Sequence, residues 1–475
     1  MPGDLEGLTR GIGARITKTG PTDWHDYCSR TVREIVRVTS PHERRANPAA
    51  PDMRILIVAA QFPTLSETFV IEQANALKHA GADVEVLTLR QGDQDVLRTI
   101  ATEFSVHAVQ PDGVARAMKL ATLLAFPVVA MLSSRGRKAL RAAIAATRHG
   151  LVSHAKQIAQ LFYQGPARRY DAIVAHFGPT GVAAQYLRQA GLIEGALGTV
   201  FHGYDVSITE VVERYAPHYR RLFESGDLFM PVSDFWAERL RGWGCDHRKI
   251  HVVRMGIDVD RFDYAPPVPP NRQFELLAVG RLTEKKGIEY AIRAVAMIDA
   301  PVKLTIIGGG ELLEPLRQLV ATLNVEERVQ FLGKQAHAEV ARRLRHANAF
   351  LLPSVTSSTG DMEGIPVALI EAMAAGLLVI SSRHSGIPEL IDDRQTGFLV
   401  DERDVEALAK VIEAISRGQF DLPAITLAAR ETVVRRFNSS VEASGLLDHL
   451  RLVCKAKGVN HPVARDRFHS TSTPA

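Results

Sequence analysis

The chain has 475 residues, 46% of them hydrophobic and 23% charged, the balance of a globular protein rather than a disordered or fibrous one. Single cores stop growing at about 250–300 residues, so two domains are expected. A mild net charge of +4 and 6% aromatic residues argue against a base-stacking platform for nucleic acid, and three scattered cysteines (Cys28, Cys245, Cys454) exclude a disulfide framework and point to a reducing cytoplasm.

Residues 1–52 are polar and rich in Pro, Gly and Arg, without the apolar core of a signal peptide, and are expected to be a disordered or extra N-terminal extension. Met53 opens directly onto Arg54-Ile-Leu-Ile-Val-Ala-Ala60, a continuous apolar run that predicts a buried parallel strand. A helix is predicted over 67–80 and strands over 84–89, 172–175, 198–201 and 228–232, with helical stretches between them. Within this half, residues 113–170 carry ten Lys/Arg and no Asp or Glu, which suggests an anionic partner such as a lipid headgroup, a lipid pyrophosphate or a nucleic acid. The apolar run Leu120–Leu132 is shorter than the roughly 20 residues a bilayer span needs, so it lies on a membrane or in a core.

Ala265-Pro-Pro-Val-Pro-Pro270 reads as a semi-rigid linker, and the alternation then restarts. Strands are predicted over 275–279, 303–307, 329–332, 349–352 and 378–381, and helices over 287–297, 311–323, 338–346 and 366–375. The expected fold is α/β: one Rossmann-like domain over 53–265, a second over 266–450, and a flexible tail over 451–475. Two such domains in tandem make a cleft, and open parallel sheets bind ligands at the carboxyl ends of their strands.

The segment Asp361-Met-Glu-Gly-Ile-Pro-Val-Ala-Leu-Ile-Glu371 carries two carboxylates, Glu363 and Glu371, eight residues apart. Between them Gly364 and Pro366 mark a helix start, because proline is tolerated where its missing N–H costs nothing. Free N–H groups and the positive end of the dipole make such a start an anion site. At about 1.5 Å rise per residue, the two carboxylates could reach from a sugar, past a diphosphate, to a ribose. Gly280-Arg281 to Lys286-Gly287 joins a strand to a helix, and Arg281 with Lys286 would suit a diphosphate. Gly308, Gly309 and Gly310 also follow a strand; they allow close approach to a ligand, or simply a tight turn. His202 and His176 each end a strand on the cleft side, where either could bond a sugar hydroxyl or serve structurally. Asp258-Val-Asp260 lies just before the linker and reads as a local cap rather than a metal site. No dinucleotide glycine fingerprint follows the first strand of either domain, which argues against a nicotinamide-dependent oxidoreductase.

At these residues the chain resembles glycosyltransferase family 4, the retaining nucleotide-sugar transferases with the GT-B fold. The resemblance runs from about Met53 to Leu450 and rests on Glu363-x7-Glu371, Gly280-Arg281 to Lys286-Gly287, Gly256-Ile-Asp258 and Thr396-Gly-Phe-Leu-Val400. Phe62-Pro-Thr-Leu-Ser-Glu-Thr-Phe69, Ala175-His-Phe-Gly-Pro179, Phe201-His-Gly-Tyr-Asp205 and Leu352-Pro-Ser-Val-Thr356 look like the colanic acid and amylovoran exopolysaccharide transferases. The resemblance implies that Glu371 binds the ribose and Glu363 the donor sugar near the reacting carbon. Arg281 and Lys286 would hold the diphosphate, His202 would touch the sugar, and N–H groups near Ile365 and Val367 would complete the phosphate cradle. It also implies a nucleotide-sugar, most simply a UDP-sugar, as donor, no metal or other cofactor, and a polyprenyl-pyrophosphate-linked acceptor. That acceptor places the protein in the cytoplasm at the inner face of the membrane, touching it through segment 113–170, with Arg135, Arg137, Lys138 and Arg141 on anionic lipid. A nucleotide-sugar 2-epimerase of the same fold and a nonenzymatic nucleotide-sugar sensor are the alternatives.

Overall fold

The structure is a computed structural model and describes residues 53–64, 67–93, 104–109, 116–267 and 273–458. The expected N-terminal extension and part of the Pro-rich linker lie outside the described residues.

Among the described residues, twelve strands form two six-stranded sheets. The first holds β1 (Met53–Phe62), β2 (Ala82–Gln91), β3 (Ser105–Ala108), β4 (Arg168–His176), β5 (Ile193–Phe201) and β6 (Leu228–Pro231). The second holds β7 (Phe274–Val279), β8 (Val302–Ile307), β9 (Val329–Phe331), β10 (Ala349–Leu352), β11 (Leu378–Ser382) and β12 (Phe398–Val400). The orders are β3-β2-β1-β4-β5-β6 and β12-β11-β10-β7-β8-β9, with parallel pairing throughout. Both are the same doubly wound pattern, with the order reversing at β1/β4 and at β7/β10, where such sheets leave a crevice for ligand.

Strand sequence explains why both faces are covered. In the second sheet Leu276, Ala278, Leu351, Leu378 and Ile380 enter one core, while Leu277, Phe350, Leu352 and Val379 enter the other. Side chains alternate across a strand, so an unbroken apolar run demands helices on both sides.

Residues 451–456 continue a helix rather than opening a flexible tail, and 459–475 lie outside the described residues. Helix Ser439–Ala456 returns to the first domain and buries Ala443, Leu446, Leu447, Leu450 and Cys454 in its core. Its apolar positions recur at helical spacing, and a buried cysteine marks its last turn. The chain crosses over where Ile257 pairs with Phe437 and Ser439. A Cβ on Gly256 would stand 2.6 Å from the Ser439 backbone, which explains the glycine at that crossing.

The described part of segment 113–170 holds three helices before β4: Arg116–Met131, Ser134–Arg148 and Val152–Phe162. The first of these buries Phe126 and Ala130 in the core and exposes its other face. Leu124 and Val128 are each 71% exposed and Leu132 is 81% exposed, and with Leu120 and Met131 they form one stripe. Arg137, Lys138 and Arg141 are exposed on the next helix. Arg135 corrects the expectation: it turns inward, stacks 5.2 Å over Phe162 and donates to the Gly165 carbonyl. No helix among the described residues is long and apolar enough to cross a membrane.

Candidate active site

A cleft of about 1200 Å³ opens between the two sheets at the carboxyl ends of their strands. From the first domain it is walled by Glu67, Phe69, Phe177, His202 and Tyr204, and from the second by Arg281, Lys285, Lys286 and residues 361–368. The domains meet closely here. A Cβ on Gly364 would lie 2.3 Å from the His202 carbonyl oxygen, so only glycine allows this approach.

Glu363 is the buried charge of the site, 7% exposed. Burial works to raise its pKa, and the ammonium groups of Lys286 and Lys285 outweigh that and hold it below the ordinary value. Lys286 Nζ stands 2.8 Å from Glu363 Oε1 in a buried ion pair. Lys285 pairs instead with Asp361 at 3.0 Å. Arg281 is exposed on the cleft wall, and its guanidinium makes no hydrogen bond or ion pair among the described residues.

The Glu363 backbone is fixed by residues that the sequence reading did not single out. Its N–H donates to His384 Nε2 at 3.0 Å, and Ser385 Oγ donates to its carbonyl at 2.7 Å. Because Nε2 accepts, the His384 proton sits on Nδ1, 2.6 Å from Glu402. His384 follows the end of β11, so the strand-end logic that found His202 could have found it.

The helix start is as expected, with one shift. Pro366 is the cap and the helix runs Val367–Ala374, with no side chain bonded to its first N–H groups. Gly364, Ile365, Pro366 and Val367 all line the cleft. Glu371 sits one turn further on, on the face of Val367 and Ala368, beside Arg261 and Glu72 rather than beside Glu363. Burial, with a further push from Glu72, raises its pKa to about 7 against the pull of Arg261. Arg261 bridges the domains: Ile257 and Val259 before it pack into the second domain's core, and its guanidinium lies 2.7 Å from Glu72 of the first.

Gly308, Gly309 and Gly310 form a shelf behind Arg281 rather than a cleft wall. A Cβ on Gly308 (φ +145°) would stand 1.8 Å from the Gly280 carbonyl, and Leu282 N–H donates to Gly309. The close approach these glycines allow is to the backbone of residues 280–282. Asp258 caps locally, accepting from the Asp260 N–H at 3.1 Å.

On the facing wall, His202 lies between Phe69 and Phe177, with ring centroids 4.7 and 4.4 Å away. Asp205, fully buried, accepts from the N–H groups of Gly178, His202 and Gly203, tying the loops after β4 and β5 together. Glu67 is a further carboxyl on this wall, raised to about 7 by burial. Its only sequence signal was its place in the Phe62–Phe69 motif.

Residues 66–261 match the model described as Glycosyltransferase Family 4, and residues 261–430 match Glycosyl transferases group 1. A putative colanic acid biosynthesis glycosyltransferase, WcaL of Escherichia coli, is 39% identical over 84% of this chain and 100% of its own length. The chain belongs to glycosyltransferase family 4. The amylovoran biosynthesis glycosyltransferase AmsK of Erwinia amylovora is 36% identical to this glycosyltransferase, over 82% of this chain and 97% of its own. The fold is that of GT-B enzymes. A crystal structure of Anabaena HepE in complex with UDP and glucose superposes with a TM-score of 0.62 at 18% identity, covering 84% of this chain and 100% of that one.

Proposed function

We propose that this glycosyltransferase moves a hexose from a UDP-sugar to a polyprenyl-pyrophosphate-linked oligosaccharide during exopolysaccharide assembly, with retention at the anomeric carbon and without a metal. The observation that carries the reading is buried Glu363, ion-paired with Lys286 and flanked by Arg281 and an uncapped helix start, opposite His202. The colanic acid and amylovoran relatives support the pathway class, and the UDP and glucose in HepE support the donor. Relatives named as transferases favour transfer over 2-epimerisation, and an intact set of charged groups favours catalysis over sensing.

In this reading Glu363 contacts donor-sugar hydroxyls near the reacting carbon, and Glu371 takes the ribose hydroxyls. The acceptor hydroxyl attacks the anomeric carbon on the face from which the diphosphate departs. The carbon–oxygen bond to phosphate breaks, the new glycosidic bond forms, and the acceptor proton passes to a departing phosphate oxygen. Arg281, Lys286 and the helix start stabilise the charge that develops on that phosphate, so the chemistry requires no metal. A thermal-shift screen over nucleotide-sugars tests it: a UDP-sugar should stabilise the wild type but not Glu371→Ala, and stabilisation by no nucleotide-sugar would end the reading.

The apolar stripe of helix Arg116–Met131, beside exposed Arg137, Lys138 and Arg141, suits anionic lipid on the cytoplasmic face, where a polyprenyl acceptor would be anchored. In flotation assays the protein should rise with vesicles containing phosphatidylglycerol and stay down with neutral ones. Leu124→Glu/Val128→Glu should abolish flotation while leaving nucleotide binding intact. Equal behaviour on both vesicle types would remove the membrane contact.

A further inference from the structure

His176 ends β4 and is 1% exposed, so it cannot itself reach a ligand in the cleft. Its ring and that of His202 lie near-parallel and meet edge to edge, with centroids 5.2 Å apart and planes 21° from parallel. His176 Nδ1 and His202 Nε2 are 3.1 Å apart, close enough to share one proton. Phe69 and Phe177 hold the His202 ring in place, so it does not turn away from this partner.

The direction of that hydrogen bond follows from the far side of His176. Its Nε2 is buried without any partner among the described residues. Were His202 the donor, His176 would carry its own proton on Nε2, as a buried N–H with no acceptor. With His176 as donor, Nε2 is only an unused lone pair, and orphaned donors are the rarer of the two in folded proteins. His176 therefore donates, His202 Nε2 accepts, and the His202 proton sits on Nδ1. That nitrogen makes no hydrogen bond among the described residues and is not buried, so it opens on the cleft that His202 lines. Burial keeps both rings neutral: His176 is lowered to about 3, and His202 falls well below its ordinary value.

We propose that His176 is a positioning residue for donor-sugar recognition: by donating to His202 Nε2 it fixes His202 as a neutral Nδ1–H donor aimed at an oxygen of the sugar. A neutral donor suits the role, because positive charge develops on the sugar as the diphosphate leaves, and an imidazolium would oppose it. The inference rests on the donor-site reading given above.

The test compares binding of UDP and UDP-glucose by calorimetry on the full chain, and takes their affinity ratio as the contribution of the sugar. His202→Ala should cut that ratio about tenfold. His176→Leu should cut it equally and leave UDP affinity unchanged, whereas His176→Asn, whose amide N–H can stand near the Nδ1 position, should recover much of it. The double variant His176→Leu/His202→Ala should be no worse than His202→Ala alone. If His202→Ala lowers the ratio and His176→Leu does not, the positioning role falls while the donor site stands. If His202→Ala leaves the ratio unchanged, the sugar contact falls and the positioning role with it. Nitrogen-15 spectra of the free protein give a readout that needs no ligand. They should report the Nδ1–H tautomer for His202, and the Nε2–H tautomer would overturn the inference.

Discussion

Lys286→Met is expected to abolish transfer and to destabilise the protein at once. Glu363 and Lys286 have side chains only 9% and 15% exposed. Breaking a buried pair leaves an uncompensated charge and costs about 3–5 kcal/mol. The lower end applies here, since Lys285 also stabilises the Glu363 carboxylate. The same substitution removes a charge aimed at the leaving phosphate, and losing one such donor costs about 10²–10³ in kcat. The two effects separate in Lys286→Met/Glu363→Gln, which replaces the pair by a neutral one. Chemical denaturation should show stability largely recovered in the double variant, while transfer stays absent. If the double variant regained transfer, the Lys286 charge would have only a structural role.

This coupling explains which parts of the site were legible in the sequence. Arg281 and Lys286 were readable because they join a strand end to a helix, and Glu363 because it stands just before a helix start marked by Gly364 and Pro366. Their pairing was not readable: Glu363 and Lys286 lie far apart in sequence, and nothing local says that Lys286 rather than Lys285 takes the buried carboxylate. The glycines 308–310 misled for a similar reason. A run of glycines signals close approach of something, and here it is the backbone of residues 280–282 rather than a ligand. The alternation of strands and helices was strong enough to give two domains, but short β3 and β12 lacked a run long enough to stand out. The final helix was missed because its apolar face belongs to a domain that begins almost four hundred residues earlier.

Glu371 should show stability and binding moving in opposite directions. Its carboxyl is raised from 4.5 to about 7, by burial first, with Glu72 adding to the rise and Arg261 opposing it. Because the native acid is the weaker one, the folded chain keeps a proton that the unfolded chain releases between these values. Its stabilising contribution is whole below pH 4.5, declines as pH rises towards about 7, and stays lost above that. Glu371→Gln removes the penalty, and at pH 8 it should stabilise the protein by on the order of 2 kcal/mol, a figure reduced for partial solvent access. The same change should weaken UDP binding about 10–100-fold, since hydrogen bonds to a charged group contribute about 1.5–3 kcal/mol. Wild-type affinity for UDP should also rise between pH 6 and pH 8 (a range set by the cited value of about 7) more steeply than that of Glu371→Gln, the difference being the ionisation of Glu371. Paired denaturation and calorimetry at the two ends of that range would measure it. A variant that is both more stable and a poorer binder would mark Glu371 as a carboxylate kept for the nucleotide at the expense of the fold. If UDP affinity is unchanged, Glu371 belongs to the Arg261–Glu72 bridge between the domains and the ribose is held elsewhere.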